Sequence, residues 1–288
     1  MYGETASSVL SENKSPDLGF RWSLNPYRGC AHACAYCYAR PTHQYWDFGA
    51  GTDFERKLIA KHNAADLLRA RFERPSWRGE TIVFSGNTDC YQPLESELKL
   101  TQACLEVCAE YRNPVGIITK SALIQRDISL LAELSKHAHL RVNVSIPFAD
   151  RALARAIEPG APTPKMRFAT IRALSDAGIE VGVAVAPIIP GLNDDQIVEI
   201  LERAADAGAK MAFHVPVRLS KEVEMVFESR IKEALPLRAS RVLNAIRRMN
   251  GGAMQRSGFG ERFTGEGPEW LAVASLYRLT LKRLGLRG

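Results

Sequence analysis

The segment Asn25-Pro-Tyr-Arg-Gly-Cys30-Ala-His-Ala-Cys34-Ala-Tyr-Cys37-Tyr-Ala-Arg40 decides how the rest of the chain reads. Its opening, Asn-Pro followed closely by Gly, is turn chemistry without the period of a helix or a strand. A free cysteine is often simply buried, but three at fixed offsets in a loop are poor core filling. Iron-sulfur clusters are held by cysteine thiolates, ordinarily four of them. Three leave one iron without a protein ligand, and an open coordination position is what makes a metal site catalytic rather than structural. Zinc is the rival, with His32 as a fourth ligand. However, three intervening residues followed by two is not the paired spacing of structural zinc sites, so the spacing favours the cluster.

Cys30, Cys34 and Cys37, with Tyr36 just before the last of them, resemble the C-x-x-x-C-x-aromatic-C signature of radical S-adenosylmethionine (radical SAM) enzymes. Asn25-Pro-Tyr-Arg-Gly-Cys, Tyr36-Cys-Tyr-Ala-Arg, Gly86-Asn-Thr-Asp, Thr119-Lys120, Ser145 and Glu158-Pro-Gly160 are similar to one branch of that family, over about residues 20 to 270. The branch includes spore photoproduct lyase and uncharacterised bacterial relatives. The tail Phe259-Gly-Glu-Arg262-Phe-Thr-Gly265-Glu-Gly267 resembles those relatives rather than the lyase itself. The resemblance implies a [4Fe-4S] cluster on the three cysteines, with S-adenosyl-L-methionine (SAM) chelating the remaining iron. It implies reductive cleavage of SAM to a 5'-deoxyadenosyl radical that abstracts hydrogen from a substrate, and an electron donor such as flavodoxin or ferredoxin. The associated fold is a partial (β/α)6 barrel.

The element pattern agrees with an α/β chain of that kind. Short apolar runs alternate with longer helical patterns, as in strand-helix units that build a parallel sheet. Strands are expected to begin near Trp22, Thr81, Val115, Leu140, Glu180 and Lys210. Helices are expected over 63–73, 97–111, 126–136, 163–177, 194–207, 237–249 and 269–284. Gly178 and Gly208 each follow a helical run and precede a strand. The expected organisation is an N-terminal arm over 1–19, mobile or draped, a partial barrel over 20–220, and a basic, mostly helical C-terminal extension over 221–288 packed on the barrel. At 288 residues, 46% hydrophobic, the chain can bury a large core. No apolar run has the length of a membrane span or follows a basic leader, and an oxygen-sensitive cluster needs reducing surroundings. A cytoplasmic enzyme is therefore expected.

Parallel α/β sheets bind ligands at the carboxyl ends of their strands, and the motif residues fall there. Gly86, Asn87 and Thr88 follow the second strand; the family uses that segment near the methionyl amine, although Asn87 and Thr88 are also good turn residues. Lys120 closes the third strand, where an ammonium can pair with the cofactor's carboxylate. Asn143 and Ser145 share a face of the fourth under two-residue periodicity and can reach ribose or carboxylate. Glu158 either orients Lys120 or the cofactor, or caps the next helix. The fifth strand runs through Pro187 to Gly191, an apolar exit whose free backbone donors suit an adenine, with Tyr36 on its opposite face. His214 and Arg218 lie toward the substrate end, His214 as either a structural or a catalytic residue.

Cys104 and Cys108, four apart on a helix, read as buried thiols. Cys90 stands where close relatives generally have proline, while the lyase's hydrogen-donating cysteine falls at the position of Asn87. Cys90 thus reads either as a quencher of a product radical, with Tyr36 and Tyr38 relaying the hydrogen, or as a plain thiol. Residues 221–288 carry 13 Lys or Arg against 7 Asp or Glu, so the whole net charge of +6 lies in the tail. That region is either a nucleic-acid surface or a solvated helix face. It tilts the expected substrate to a nucleic acid or nucleoside; a small-molecule or peptide tailoring enzyme is the alternative within the class. A non-catalytic zinc or iron-sulfur protein associated with nucleic acid is the alternative outside it.

Overall fold

The structure is a computed structural model, and it describes residues 1–256 and 258–288. In chain order the strands are β1 (Tyr2–Glu4), β2 (Leu10–Glu12), β3 (Trp22–Leu24), β4 (Tyr27–Arg28), β5 (Ile59–Lys61), β6 (Ile82–Phe84), β7 (Val115–Thr119), β8 (Leu140–Ser145), β9 (Val181–Ile188) and β10 (Met211–Pro216). The helices are α1 (Thr52–Arg56), α2 (Ala64–Phe72), α3 (Glu95–Leu98), α4 (Leu100–Glu110), α5 (Ile128–His137), α6 (Arg151–Ile157), α7 (Pro164–Asp176), α8 (Ile197–Asp206), α9 (Lys221–Ala234), α10 (Pro236–Met249) and α11 (Gly267–Leu284).

Strands β3, β6, β7, β8, β9 and β10 lie side by side in that order and are all parallel, each starting within one residue of its expected position. The strand order is linear, and β2 pairs antiparallel to β3 at one edge. This is the α/β partial barrel the sequence pointed to. Strand β9 explains the arrangement locally: Val181, Val183, Ala184 and Val185 are all buried, the signature of a parallel strand covered on both faces. Helices close the outer face through apolar stripes such as Ile197, Ile200, Leu201 and Ala204 of α8. Thr163 accepts from the Met166 N–H and Pro164 follows, so α7 starts where its first turn is capped.

Some features differ from the sequence expectations. The helix expected over 97–111 is split at Lys99, whose φ of 53° is left-handed, because the buried Glu95 carboxylate takes the Thr101 and Gln102 N–H groups at 2.9 and 3.2 Å and starts α4 afresh. Residues 1–19 supply two strands: β1 pairs parallel to β5 in a small sheet with β4, and β2 borders the main sheet. Helices α1 and α6 fall where no element was expected, and α9 fills the start of the mostly helical extension, where no particular helix was placed although Val223, Phe227 and Ile231 recur at intervals of four and are buried. No helix among the described residues is long and apolar enough to cross a membrane.

Candidate cluster and cofactor site

The cysteine loop leaves β4 at the carboxyl end of the main sheet and is pinned from below by one side chain. Arg40 is fully buried; its Nε donates to the Cys34 carbonyl at 3.0 Å, Nη1 to the Ala50 and Gly51 carbonyls at 3.0 Å, and Nη2 meets Glu55 at 2.6 Å. Gln92 holds the near limb, accepting from the Ala31 N–H at 3.2 Å and donating to the Gly29 carbonyl at 3.0 Å. The Ala35 N–H reaches the Ile157 carbonyl at 2.9 Å, and the Gly160 N–H reaches the His32 carbonyl at 3.1 Å. A Cβ on Gly160 would run into the Ala31 carbonyl, so only glycine lets the 158–160 turn lie against the loop. Gly160→Ala is therefore expected to push the loop away, lowering thermal stability by about 1–3 kcal/mol and reducing iron uptake on reconstitution. Wild-type melting and iron content in that variant would contradict this packing.

Cys30 and Cys34 are buried, and Cys37 is half-buried against Cys30, Ala39 and Phe54. Burial pushes the Cys34 thiol up to about 12, with Lys120 opposing it and Glu158 and Cys37 adding to it. Cys30 is pushed well up by burial, then by Asp89 and its two neighbouring thiols. The three sulfurs thus lie within electrostatic reach of one another, and Lys120, ahead of Arg167, favours a thiolate at Cys34.

Behind Cys34 stands a buried ionic network. Glu158 Oε2 meets Arg167 Nη2 at 2.6 Å, Glu158 Oε1 accepts from the Tyr36 hydroxyl, and Lys120 Nζ lies 4.0 Å from the same oxygen and 5.8 Å from the Tyr36 ring centroid. Burial opposes charge on Glu158, but Arg167 and then Lys120 outweigh it and hold the carboxyl below the ordinary range. For Lys120 burial is likewise outweighed, by Cys34 and Glu158, so the ammonium is held above its ordinary pKa. Arg167 also donates to the Ser145 and Pro162 carbonyls at 3.1 and 2.9 Å. Asp89 makes a second knot: it accepts from the Thr119 hydroxyl at 2.7 Å and the Lys120 N–H at 2.8 Å, and lies 3.3 Å from His32 Nδ1. Burial would raise this carboxyl; His32 and these donors hold it down to about 2.

Glu158, Lys120, Tyr36 and the three cysteines are therefore brought together, with Ser145 linked through Arg167. Asn143 Oδ1 is buried with no partner among the described residues, a polar group available to a ligand. Other expectations are corrected. Cys90 is 0% exposed, its carbonyl held by the Thr101 hydroxyl at 2.6 Å and its N–H by Ser85 at 2.9 Å, so this thiol is core and presents no face to a substrate. The Tyr36 hydroxyl is committed to Glu158, and the hydroxyl of Tyr38, 62% exposed, donates to the Gly86 carbonyl at 2.7 Å. Neither is free to relay hydrogen from Cys90. Thr88 braces the loop, its hydroxyl donating to the Tyr27 carbonyl at 2.8 Å, while Asn25 accepts the Asn87 and Thr88 N–H groups and the Asn87 amide reaches Thr42 at 3.3 Å.

At the fifth strand exit the expected free donors are taken. Asn193 accepts the Ile189 N–H at 2.6 Å and donates to the Pro187 carbonyl at 3.0 Å, while Asp194 accepts the Gly191 N–H at 2.9 Å. Gly191 opens instead on a cleft of about 340 Å³ shared with Arg241, Arg248 and Trp270. His214 packs against Tyr277 and Trp270, with ring centroids 4.2 and 5.9 Å away, and burial lowers its pKa. It is a packing residue under α11. Arg167, Asp89 and Gln92 were missed as site residues. The first lies mid-helix with no motif around it, whereas Asp89 and Gln92 closely follow Gly86-Asn-Thr, a signal that was available.

These residues fit a cluster better than a single ion. His32, the fourth ligand of the zinc reading, lies 3.3 Å from Asp89 through Nδ1 instead. In a cluster each thiolate takes a separate iron. Residues 24–204 match the family model described as the radical SAM superfamily, and the chain belongs to that superfamily. It is 42% identical over 215 residues to an uncharacterised protein of Mycobacterium tuberculosis, covering 72% of this chain and 63% of that one. It is 30% identical over 193 residues to an uncharacterised protein of Methanocaldococcus jannaschii, covering 67% and 69%. The chain thus spans about 63% of the length of its mycobacterial relatives. Spore photoproduct lyase complexed with dinucleoside spore photoproduct shares the fold at a TM-score of 0.71 and 15% identity, over 99% of this chain and 80% of that chain.

Proposed function

We propose that this protein is a radical SAM enzyme that abstracts hydrogen from a nucleic acid or nucleoside. Cys30, Cys34 and Cys37 would hold a [4Fe-4S] cluster and leave one iron for SAM. When bound, cluster and SAM together supply reductive homolysis to a 5'-deoxyadenosyl radical. The chain's own residues do the rest. Lys120 offers the cofactor's carboxylate a cation held charged by Cys34 and Glu158. Glu158 and Arg167 fix Tyr36 and Lys120 so that neither has to reorganise. Asn143 and Ser145 lie buried on one strand, available to polar groups of the cofactor. The electron would come from a small reductant such as flavodoxin or ferredoxin, and reducing surroundings make the cytoplasm the proposed location.

The observation that carries this reading is the gathering of three cysteines, two buried and one half-buried, and the Lys120–Glu158–Arg167 network at the carboxyl ends of the parallel strands. The substrate class rests on the tail's charge, 13 Lys or Arg against 7 Asp or Glu over residues 221–288. Reconstituted protein incubated with SAM, reductant and deuterated single-stranded DNA should move deuterium into 5'-deoxyadenosine. Deuterium transfer from peptide or small-molecule substrates, with none from DNA or nucleosides, would overturn the substrate assignment.

A further inference from the structure

Buried polar groups nearly always find a hydrogen-bond partner, and an exception calls for a reason. Two exceptions occur two residues apart, where the chain leaves β10: Arg218 Nε and Ser220 Oγ are buried without partners among the described residues. The position is the carboxyl end of the last parallel strand. Arg218 has no ion pair among the described residues, while its neighbour Arg262 is held by Asp17, Nε to Oδ2, at 2.5 Å. Both guanidiniums lie over the Phe263 ring, with Arg218 Cζ 5.3 Å and Arg262 Cζ 5.1 Å from its centroid. Burial and then the Arg262 charge press the Arg218 pKa below its ordinary value.

Ser220 is also the residue before the first turn of α9, and its hydroxyl caps none of that helix's N–H groups. Helix α9 packs on the 3-10 turn Arg40–Trp46 that follows the cysteines, and Arg218 lies within electrostatic reach of Tyr38. Arg218 therefore lies near the cysteine loop, with Ser220 two residues further along the chain. Glu222 and Glu224 already complement the first turn of α9, so the arginine rather than the helix dipole carries the attraction.

We propose that Arg218 and Ser220 bind a backbone phosphate of a nucleic-acid substrate and so position the strand beside the cysteine loop. A guanidinium fork matches a phosphate's oxygens, and the Ser220 hydroxyl adds a neutral donor. This deepens the function proposed above and rests on it.

The test compares a short single-stranded deoxyoligonucleotide with its uncharged methylphosphonate counterpart, by fluorescence anisotropy, on reconstituted full-length protein. Wild type should prefer the charged strand. Arg218→Gln should weaken the charged strand roughly ten- to a hundredfold while leaving the methylphosphonate strand unchanged, and Arg218→Lys should recover part of the loss. Ser220→Ala should give a smaller loss in the same direction. Equal binding of the charged strand by wild type and Arg218→Gln, or no preference in wild type, would overturn the inference. Iron content and melting temperature of each variant report folding. A protein that takes up no iron defeats the enzyme reading, whereas normal iron with no phosphate preference defeats this inference alone.

Discussion

Cys34→Ala is expected to reduce SAM-dependent release of 5'-deoxyadenosine to background and to leave a reconstituted protein with little iron. Two thiolates cannot hold a cluster that ordinarily takes four and here has three. Cys34 is the cysteine most tied to the network, since Arg40 holds its carbonyl and Lys120 and Glu158 flank its sulfur. The same loss is expected for Cys30→Ala and Cys37→Ala. By contrast, Cys90→Ala, at a fully buried position outside the loop, is expected to retain iron and to cost the stability of a small core cavity. Iron analysis and chromatography of the four variants check the pattern. Iron retention and SAM cleavage in the three loop variants would contradict it.

Glu158→Ala is expected to be the most destabilising of the site substitutions, by about 3–5 kcal/mol, because removing one partner leaves a buried charge uncompensated. The charge left behind is Arg167, 2.6 Å from the carboxylate and almost entirely buried, with Lys120 close by. The Tyr36 hydroxyl also loses its acceptor. A double variant, Glu158→Ala with Arg167→Met, should recover much of the loss, and the shortfall from additivity measures the coupling. Urea unfolding of the two single variants and the double variant checks this. A single variant within about 0.5 kcal/mol of wild type would mean that the network contributes nothing to holding the site.

The main sheet was legible because each parallel strand is a short apolar run bounded by turn residues, and Trp22, Val115 and Leu140 begin strands at the expected residues. The small sheet β1-β5-β4 was not, since Tyr2-Gly-Glu4, Tyr27-Arg28 and Ile59-Ala-Lys61 are not apolar runs of the kind that marks the main strands. Helix α9 was not individually legible because Glu222, Glu224, Glu228 and Lys232 surround its buried Val223, Phe227 and Ile231 and read as a charged, solvated stretch. In the site, Lys120 and Glu158 stand at motif positions and lie 4.0 Å apart, but the partner that neutralises Glu158 was not legible. Arg167 comes from a different helix and is brought in by the tertiary fold alone.

The donors at Gly191 illustrate the converse. A Gly-containing strand exit promised free N–H groups, but the Asn193 and Asp194 side chains turn back and take them. Of the two readings of Cys90, radical quencher or plain thiol, its burial favours the second, with Thr101 and Ser85 locking its backbone into the core.

The most direct test of the account is a single anaerobic measurement on reconstituted wild-type protein: iron and zinc content together with 5'-deoxyadenosine formed after reduction in the presence of SAM. The account predicts a brown protein with about four irons per chain, no stoichiometric zinc, and 5'-deoxyadenosine that requires both SAM and reductant. A colourless protein carrying one zinc, or an iron-loaded protein that leaves SAM intact under reduction, would contradict it.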